Sequence, residues 1–292
     1  IITVQTEHSA VLDVCRHLEK HGYTVTYLLV QPDGLLDLEE LRKAIRPDTI
    51  LVSVMAVNNE TGVIQPIAAM AEIAHQAGAF MMTDATQAVG KMPIDVNAWD
   101  VDLLAFSGHK FYAPKGIGGL YIRQRRPRRL MLNALLHGGG HERGFRSGTL
   151  NVPGIVGIGK AAELGKKEMQ ADKERVGALR DQLEAELLTI PGTRVNGNRQ
   201  HRLYNVTNIL FEGCDSDAMI IGLTDIAVSN GSACTAASIE PSHVLLAMGL
   251  NEMEAFSCLR FSLGRFTSGG DITRVTNNLK VVVEQLRSLV AS

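Results

Sequence analysis

Three side chains in this chain could do chemistry that most polar residues cannot: an amine, a carboxylate and a thiol. Lys110 follows the apolar run Asp102-Leu103-Leu104-Ala105-Phe106 on a tight Ser107-Gly108-His109 turn, so its amine should leave a sheet at a strand end. A lysine forms a Schiff base with an aldehyde only when a useful fraction is unprotonated, and partial burial lowers its pKa to that end. Asp84 closes a second apolar run, Ala79-Phe80-Met81-Met82-Thr83, and two such strands side by side would set its carboxylate across a small gap from Lys110. Cys234 lies in a run of small residues from Ser229 to Ser238 with no apolar anchor, which predicts a mobile loop.

The elements that must position these groups read as alternating strands and helices over residues 1 to about 125. A strand opens at Ile1, a helix starts near His8, and Tyr23 to Val30 follows as a strand. A helix over 37–45 leads to the strand 49–57; Pro66 and Gly78 bracket the next helix, and 79–83 is again extended. Parallel strands need crossover helices, so this order implies a parallel sheet covered on both faces. Ligands of such sheets sit outside the carboxyl ends of the strands. The residues at those exits are His8, Asn59, Asp84 with Gln87, and Ser107 to Lys110. A long helix over 156–188 leads to a second region, 190–292, with strands expected at 205–211 and 226–229, and two terminal helices.

Length and composition set the frame. The 292 residues are 45% hydrophobic, enough for one large and one smaller domain with a sizeable core. Lys and Arg number 29 against 31 Asp and Glu, a formal charge of -2, so no global charge points to nucleic acid or a membrane surface. Four cysteines, Cys15, Cys214, Cys234 and Cys258, make no C-x-x-C pair and suit a reducing compartment. No apolar run has the length of a membrane span, and the expected location is the cytoplasm, or an organelle matrix in a eukaryote. The chain opens at Ile1 without Met, which implies residues upstream.

An amine and a carboxylate facing one ring are what pyridoxal phosphate needs: the carboxylate keeps the ring nitrogen protonated and makes the ring an electron sink. Taken singly, Lys110 could be a surface lysine, Asp84 the N-cap of the segment 85–89, His8 a helix cap and Arg260 half of a surface ion pair. Together the runs Asp84-Ala85-Thr86-Gln87, Ser107-Gly108-His109-Lys110, Arg146-Ser147-Gly148-Thr149 and Gly231-Ser232-Ala233-Cys234-Thr235 resemble the signatures of the cysteine desulfurases, within the class V aminotransferase group. The resemblance covers nearly the whole chain.

It implies an α/β fold of the pyridoxal-phosphate transferase type I: a large domain with a mostly parallel sheet (1–165, its N-terminal part missing) and a smaller C-terminal α/β domain (166–292) carrying the cysteine loop. By the same resemblance Lys110 holds the cofactor and later moves the substrate Cα proton, Asp84 pairs with the ring nitrogen, and Gln87 hydrogen-bonds the ring hydroxyl. Ser107 and His109 match phosphate contacts, and Thr149 one that reaches in from the second subunit of a homodimer. His8 matches the imidazole stacked on the ring, Asn59 a contact to substrate and ring hydroxyl, and Arg260 the guanidinium that grips the substrate carboxylate by two parallel bonds. Cys234 would take sulfur from free L-cysteine as a persulfide, leaving L-alanine, and pass it to an acceptor protein for iron-sulfur cluster assembly or thio-modification. His109 or a helix end could help deprotonate it.

A selenocysteine lyase, or another lyase using the same cofactor, would share Lys110 and Asp84 without needing Cys234, and an inactive fragment acting as a binding partner would need none of them. Asn230 and Ala113 depart from the serine and glycine usual in the family, and the family's upstream phosphate-gripping loop and the longer C-terminal tail of some members are not in this sequence.

Several features carry less. His137 and His141 have metal-like spacing, but three glycines oppose a helix and no ligand set completes them, so no metal is expected. His17 and His21 read as an exposed pair. Gly116 to Gly119 is followed by a strand pattern where a dinucleotide loop requires a helix. The arginines at 123, 125, 126, 128 and 129 read as a solvated hairpin end rather than a contact for tRNA or an acidic scaffold. Cys15 and Cys258 fit buried helical positions, and Cys214 is a bystander.

Overall fold

The structure, a computed structural model, describes residues 1–124, 130–231 and 240–290. The chain begins with strand β1 (Ile2–Val4), helix α1 (Ser9–Glu19), β2 (Thr26–Leu28), α2 (Leu38–Ala44), β3 (Leu51–Ser53) and α3 (Ile67–Gln76). It continues through β4 (Phe80–Asp84), β5 (Leu103–Ser107), β6 (Gly118–Ile122) and the long helix α4 (Val152–Leu187). The rest is β7 (Thr193–Asn196), β8 (Val206–Phe211), α5 (Ser216–Gly222), α6 (His243–Ala247), α7 (Glu252–Phe256), β9 (Cys258–Ser262) and α8 (Gly269–Val290). These elements form two compact units, one of residues 45–56 and 66–169, the other of 1–44, 57–65 and 170–292.

In the first unit β3, β4 and β5 pair in parallel, and β6 closes the edge antiparallel to β5. The mostly parallel sheet expected from the alternation is therefore present. Helix α3 covers it with Ile67, Met70, Ala71, Ile73 and Ala74, a buried stripe at helical spacing. Gly78, at φ +81°, ends that helix in the left-handed conformation, and its N–H reaches the His75 carbonyl at 3.0 Å. Behind the sheet, His75 on α3 bonds Asp102 at 2.7 Å and Asp100 at 3.1 Å, while the Asp102 carboxylate also accepts the Met81 N–H at 2.8 Å.

Arg123 belongs to this network. It is 7% exposed, pairs with Asp100 at 3.2 Å and donates to the carbonyls of Val101 and Val96. The reading of a solvated arginine run fails at this position, because two acids some twenty residues upstream supply partners that the local sequence does not show. Arg125 to Arg129 lie outside the described residues.

The second unit contains the parallel pair β1 and β2 and an antiparallel sheet in the order β7-β8-β9. Its core gathers Leu183 and Leu187 of α4, Ile209 and Phe211 of β8, Leu259 and Phe261 of β9, and Leu279 and Val283 of α8. Cys258, expected in a helix, opens β9 instead. A short apolar run has no periodicity that separates strand from buried helix. Residues 226–229, expected as a strand, make only a bridge from Ser229 to Arg260.

Glu184, 2% exposed on α4, accepts two hydrogen bonds from Arg202 at 2.5 and 2.8 Å. Burial pushes its carboxyl up, but the Arg202 bonds and the charges of Arg202 and Arg180 outweigh this and hold it below its ordinary 4.5. Glu184→Gln leaves a buried guanidinium uncompensated and should cost about 3–5 kcal/mol, read as a lower urea midpoint with an unchanged slope. The stabilisation is present above pH 4.5 and lost as pH falls through the lowered value, so wild type and variant should converge in acid.

Candidate active site

Parallel pairing places Asp84 opposite Ala105, so the chain leaves β4 and β5 at the same sheet edge. Adjacent strands lie about 4.8 Å apart, which keeps the two exits within reach of one small ring. Asp84 turns the chain by accepting the Thr86 N–H on Oδ1 at 2.8 Å, so it is the local cap as well as the carboxylate at the edge. The Thr86 hydroxyl then accepts the Ser107 N–H at 3.2 Å and ties the β4 exit to the β5 exit.

After Ser107 the chain makes a short 3-10 turn, Gly108–Phe111, that carries His109 and Lys110. A Cβ on Gly108 would stand 3.0 Å from Ala113 Cβ, the Ile117 carbonyl and Ile158 Cδ1, so only glycine lets the turn sit this close to its neighbours. On the other side Gly90, at φ +76°, faces Phe111; a Cβ there would lie 2.6 Å from the Phe111 Cβ. The segment that follows Asp84 is thus packed on the Lys110 turn at Gly90, while Gly108 lets that turn close on Ala113 and on α4.

Lys110 is exposed, contrary to the partial burial expected of it, because the turn lifts it off the sheet beyond the last strand residue. His109 is also exposed; its Nδ1 lies 2.8 Å from the Ser107 hydroxyl. Desolvation first, then the positive charges of Lys110 and Lys115, hold its imidazole below the usual histidine range. Gln87 is half-buried, and Lys91, which no motif singled out, donates to its side chain. Burial, then the charge of Lys110, brings the Lys91 amine down to about 8. Thr149 is exposed in the same unit, beside Gly148, whose N–H reaches His141 Nδ1 at 3.3 Å.

The other three expected residues belong to the second unit. His8 caps α1, its Nδ1 accepting the Ala10 N–H at 3.1 Å. Asn59 sits on a turn built by buried Asn58, whose Oδ1 accepts from the backbone of Glu60 and Thr61 and whose Nδ2 donates to the Thr6 carbonyl. Arg260, on β9, donates from Nη1 to the Asn59 carbonyl at 3.3 Å, and its buried Nε has no partner among the described residues. A half-buried guanidinium with an unused donor suits a carboxylate ligand. Arg260 also bonds Ser229 through its backbone, N to O at 2.6 Å, at the start of the cysteine-bearing run.

Glu60 was missed by sequence reading. It is 2% exposed, burial raises its carboxyl, Ser242 donates to it at 2.6 Å, and it packs against Gly231 so closely that a Cβ there would meet Oε2 at 2.4 Å. No composition signal separates such a glutamate from a surface one. Cys234 lies outside the described residues. His17 and His21 are an exposed ring pair with centroids 4.3 Å apart, and no three His, Cys, Asp or Glu groups gather as a metal site among the described residues.

At one sheet edge, then, an amine, a carboxylate and a hydroxyl–imidazole pair leave neighbouring strands. The chemistry of this set fits pyridoxal phosphate: a carboxylate for the ring nitrogen, an amine for the aldehyde, and hydroxyl, imidazole and nearby cations for the dianionic tail. A parallel α/β sheet bearing that set defines a pyridoxal-phosphate enzyme of fold type I. The chain belongs to the class-V aminotransferase family, whose model matches residues 1–275. It is 53% identical over 289 residues to the cysteine desulfurase IscS of Mannheimia succiniciproducens, covering 99% of this chain and 71% of that one. A NifS-like protein of Rickettsia africae superposes with TM-score 0.86 at 30% identity, over 97% of this chain and 75% of the other. SspA, solved in complex with cysteine, superposes with TM-score 0.75 at 37% identity, over 91% and 74%.

Cys15, Cys214 and Cys258 are buried, and burial raises all three thiols, Cys258 to about 12. A thiol reacts as thiolate. Iodoacetamide at pH 8 should therefore label the Cys258 peptide at least about a thousandfold more slowly in the folded protein than after unfolding. Mass spectrometry of the three peptides checks this, and equal rates would contradict their burial.

Proposed function

We propose that the chain is a pyridoxal-phosphate-dependent cysteine desulfurase that converts L-cysteine to L-alanine and moves the sulfane sulfur onto Cys234. The observation that carries this reading is the shared sheet edge of Asp84 and Lys110, stitched by the Thr86–Ser107 bond, in a chain that is about half identical to cysteine desulfurases along nearly its whole length.

Bound pyridoxal phosphate supplies an electron sink for the substrate Cα. Lys110 would hold it, and its Nζ is the base that takes the substrate Cα proton. Asp84 would keep the ring nitrogen protonated, Gln87 would contact the ring hydroxyl, and Ser107 and His109 would hold the phosphate, with Thr149 reaching it from a second subunit. His8 would stack on the ring, and Asn59 would contact substrate and ring hydroxyl. Arg260 grips the substrate carboxylate with donors that Asn59 leaves unused. The Cys234 thiolate attacks the substrate sulfur: a sulfur–sulfur bond forms as the carbon–sulfur bond breaks, and the electron pair left on carbon is protonated to give alanine. One cysteine and one enzyme thiol become one alanine and one persulfide, with no external oxidant. In this reading the cofactor contacts come mainly from residues 1–165, and the thiol and substrate arginine from 166–292.

The same reading makes the protein a homodimer. What supports this is that Met131, Leu135, Leu136, Val152 and Val156, large apolar side chains on the stretch of chain around Thr149, are all more than half exposed. The persulfide would pass to an acceptor protein, an iron-sulfur scaffold or a thiolation relay, in the cytoplasm. No described helix is long and apolar enough to cross a membrane.

Cys234→Ser is expected to abolish alanine release, with turnover down by at least about a hundredfold, while the protein keeps the yellow colour of its bound cofactor. Alanine formed at the wild-type rate by that variant would remove Cys234 from the reaction.

A further inference from the structure

Lys91 lies in none of the motifs that point to the function, yet its ammonium is half-buried beside the cofactor edge. Its Nζ donates to the Gln87 carbonyl at 3.2 Å and to the Gln87 side-chain oxygen, Oε1, at 2.9 Å. An ammonium has three donors and no acceptor, so it can face only the oxygen of a neighbouring amide. The opposite orientation would aim the amide hydrogens at a cation. That contact therefore removes the usual ambiguity of a glutamine side chain, whose two ends are nearly alike in shape. With Oε1 committed to Lys91, the remaining face of Gln87 is its N–H₂ donor.

Two further features favour the contact. Lys91 is desolvated where it sits, and a desolvated cation needs its hydrogen bonds. The exposed Lys110 is close enough for its charge to be felt at Lys91, so the Gln87 oxygen also turns the negative end of a dipole toward two neighbouring amines.

We propose that Lys91 is a positioning residue of the cofactor site, locking the Gln87 amide with its N–H₂ turned to donate to the ring oxygen of pyridoxal phosphate. This rests on the reading of Gln87 as the ring-hydroxyl contact. A donor stabilises that oxygen in its deprotonated form, whereas a flipped amide would present a second acceptor and repel it. Lys91 touches neither cofactor nor substrate in this account; it acts only through Gln87.

The test is a double-mutant cycle on cofactor affinity, measured by titrating pyridoxal phosphate into the full-length apo-protein and following the bound-cofactor absorbance band. Lys91→Met should weaken binding about tenfold, the effect of misplacing one hydrogen bond to a charged group. In the Gln87→Ala background the same change should have no further effect, within about twofold, because the residue it acts through is gone. Lys91→Arg, which keeps a donor for Oε1, should recover most of the affinity; circular dichroism of each apo-protein confirms that it is folded. Unchanged affinity in Lys91→Met, or an equal loss in both backgrounds, overturns the proposal while leaving the role of Gln87 standing. Wild-type affinity and spectrum in Gln87→Ala would overturn both.

Discussion

Because β4 and β5 run parallel and pair with Asp84 opposite Ala105, both chains leave the sheet in the same direction at the same edge. An antiparallel pair would have sent one exit to the far side. Parallel pairing alone is not enough, since each chain still has to turn sharply without carrying its functional group away. Asp84 does this for one by capping its own turn, and the Thr86 hydroxyl fastens it to the other through the Ser107 N–H. Gly90 then lets the segment after Asp84 close onto Phe111, and Gly108 lets the Lys110 turn fold tightly onto Ala113, where a side chain would intrude.

Charge is distributed with similar economy. The edge that bears Asp84 also bears Lys110 and Lys91, and Lys115 lies near enough to act on His109, positive charge suited to an anionic ligand. Behind the sheet Asp100 and Asp102 share the guanidinium of Arg123 and are both bonded to His75, a network that ties the start of β5 to α3 and β4. In the second unit Arg260 is anchored through its backbone to Ser229 and through one nitrogen to Asn59, which leaves its Nε for a ligand. The buried Glu60, bonded to Ser242 and packed on Gly231, sits at the described ends of the segment that carries Cys234.

The strand exits were legible because a parallel sheet announces itself by alternating apolar runs and helices, and because polar residues directly after such runs have few structural reasons to be there. Asp84, Gln87, Ser107, His109 and Lys110 all fell where that logic put them. Burial was less legible. Lys110 was expected to be partly buried and is exposed, while the desolvated lysine is Lys91, whose partner Gln87 lies one turn back and could not be recognised without the fold. Arg123 looked like one of five surface arginines until Asp100 and Asp102 came alongside it. Strand β9 was hidden because Cys258, Leu259 and Phe261 are all buried, which erases the alternation by which a half-exposed strand is read. Glu60 and Asn58 work through tertiary contacts that leave no mark on spacing.

The account stands or falls on which amine holds the cofactor. Two lysines compete at this edge, one exposed on the β5 turn and one whose burial brings its amine down to about 8. Borohydride reduction of the protein loaded with pyridoxal phosphate, followed by peptide mass spectrometry, distinguishes them. The account predicts a pyridoxyl group on the peptide containing Lys110 and none on Lys91; label on Lys91, or on neither, would contradict it.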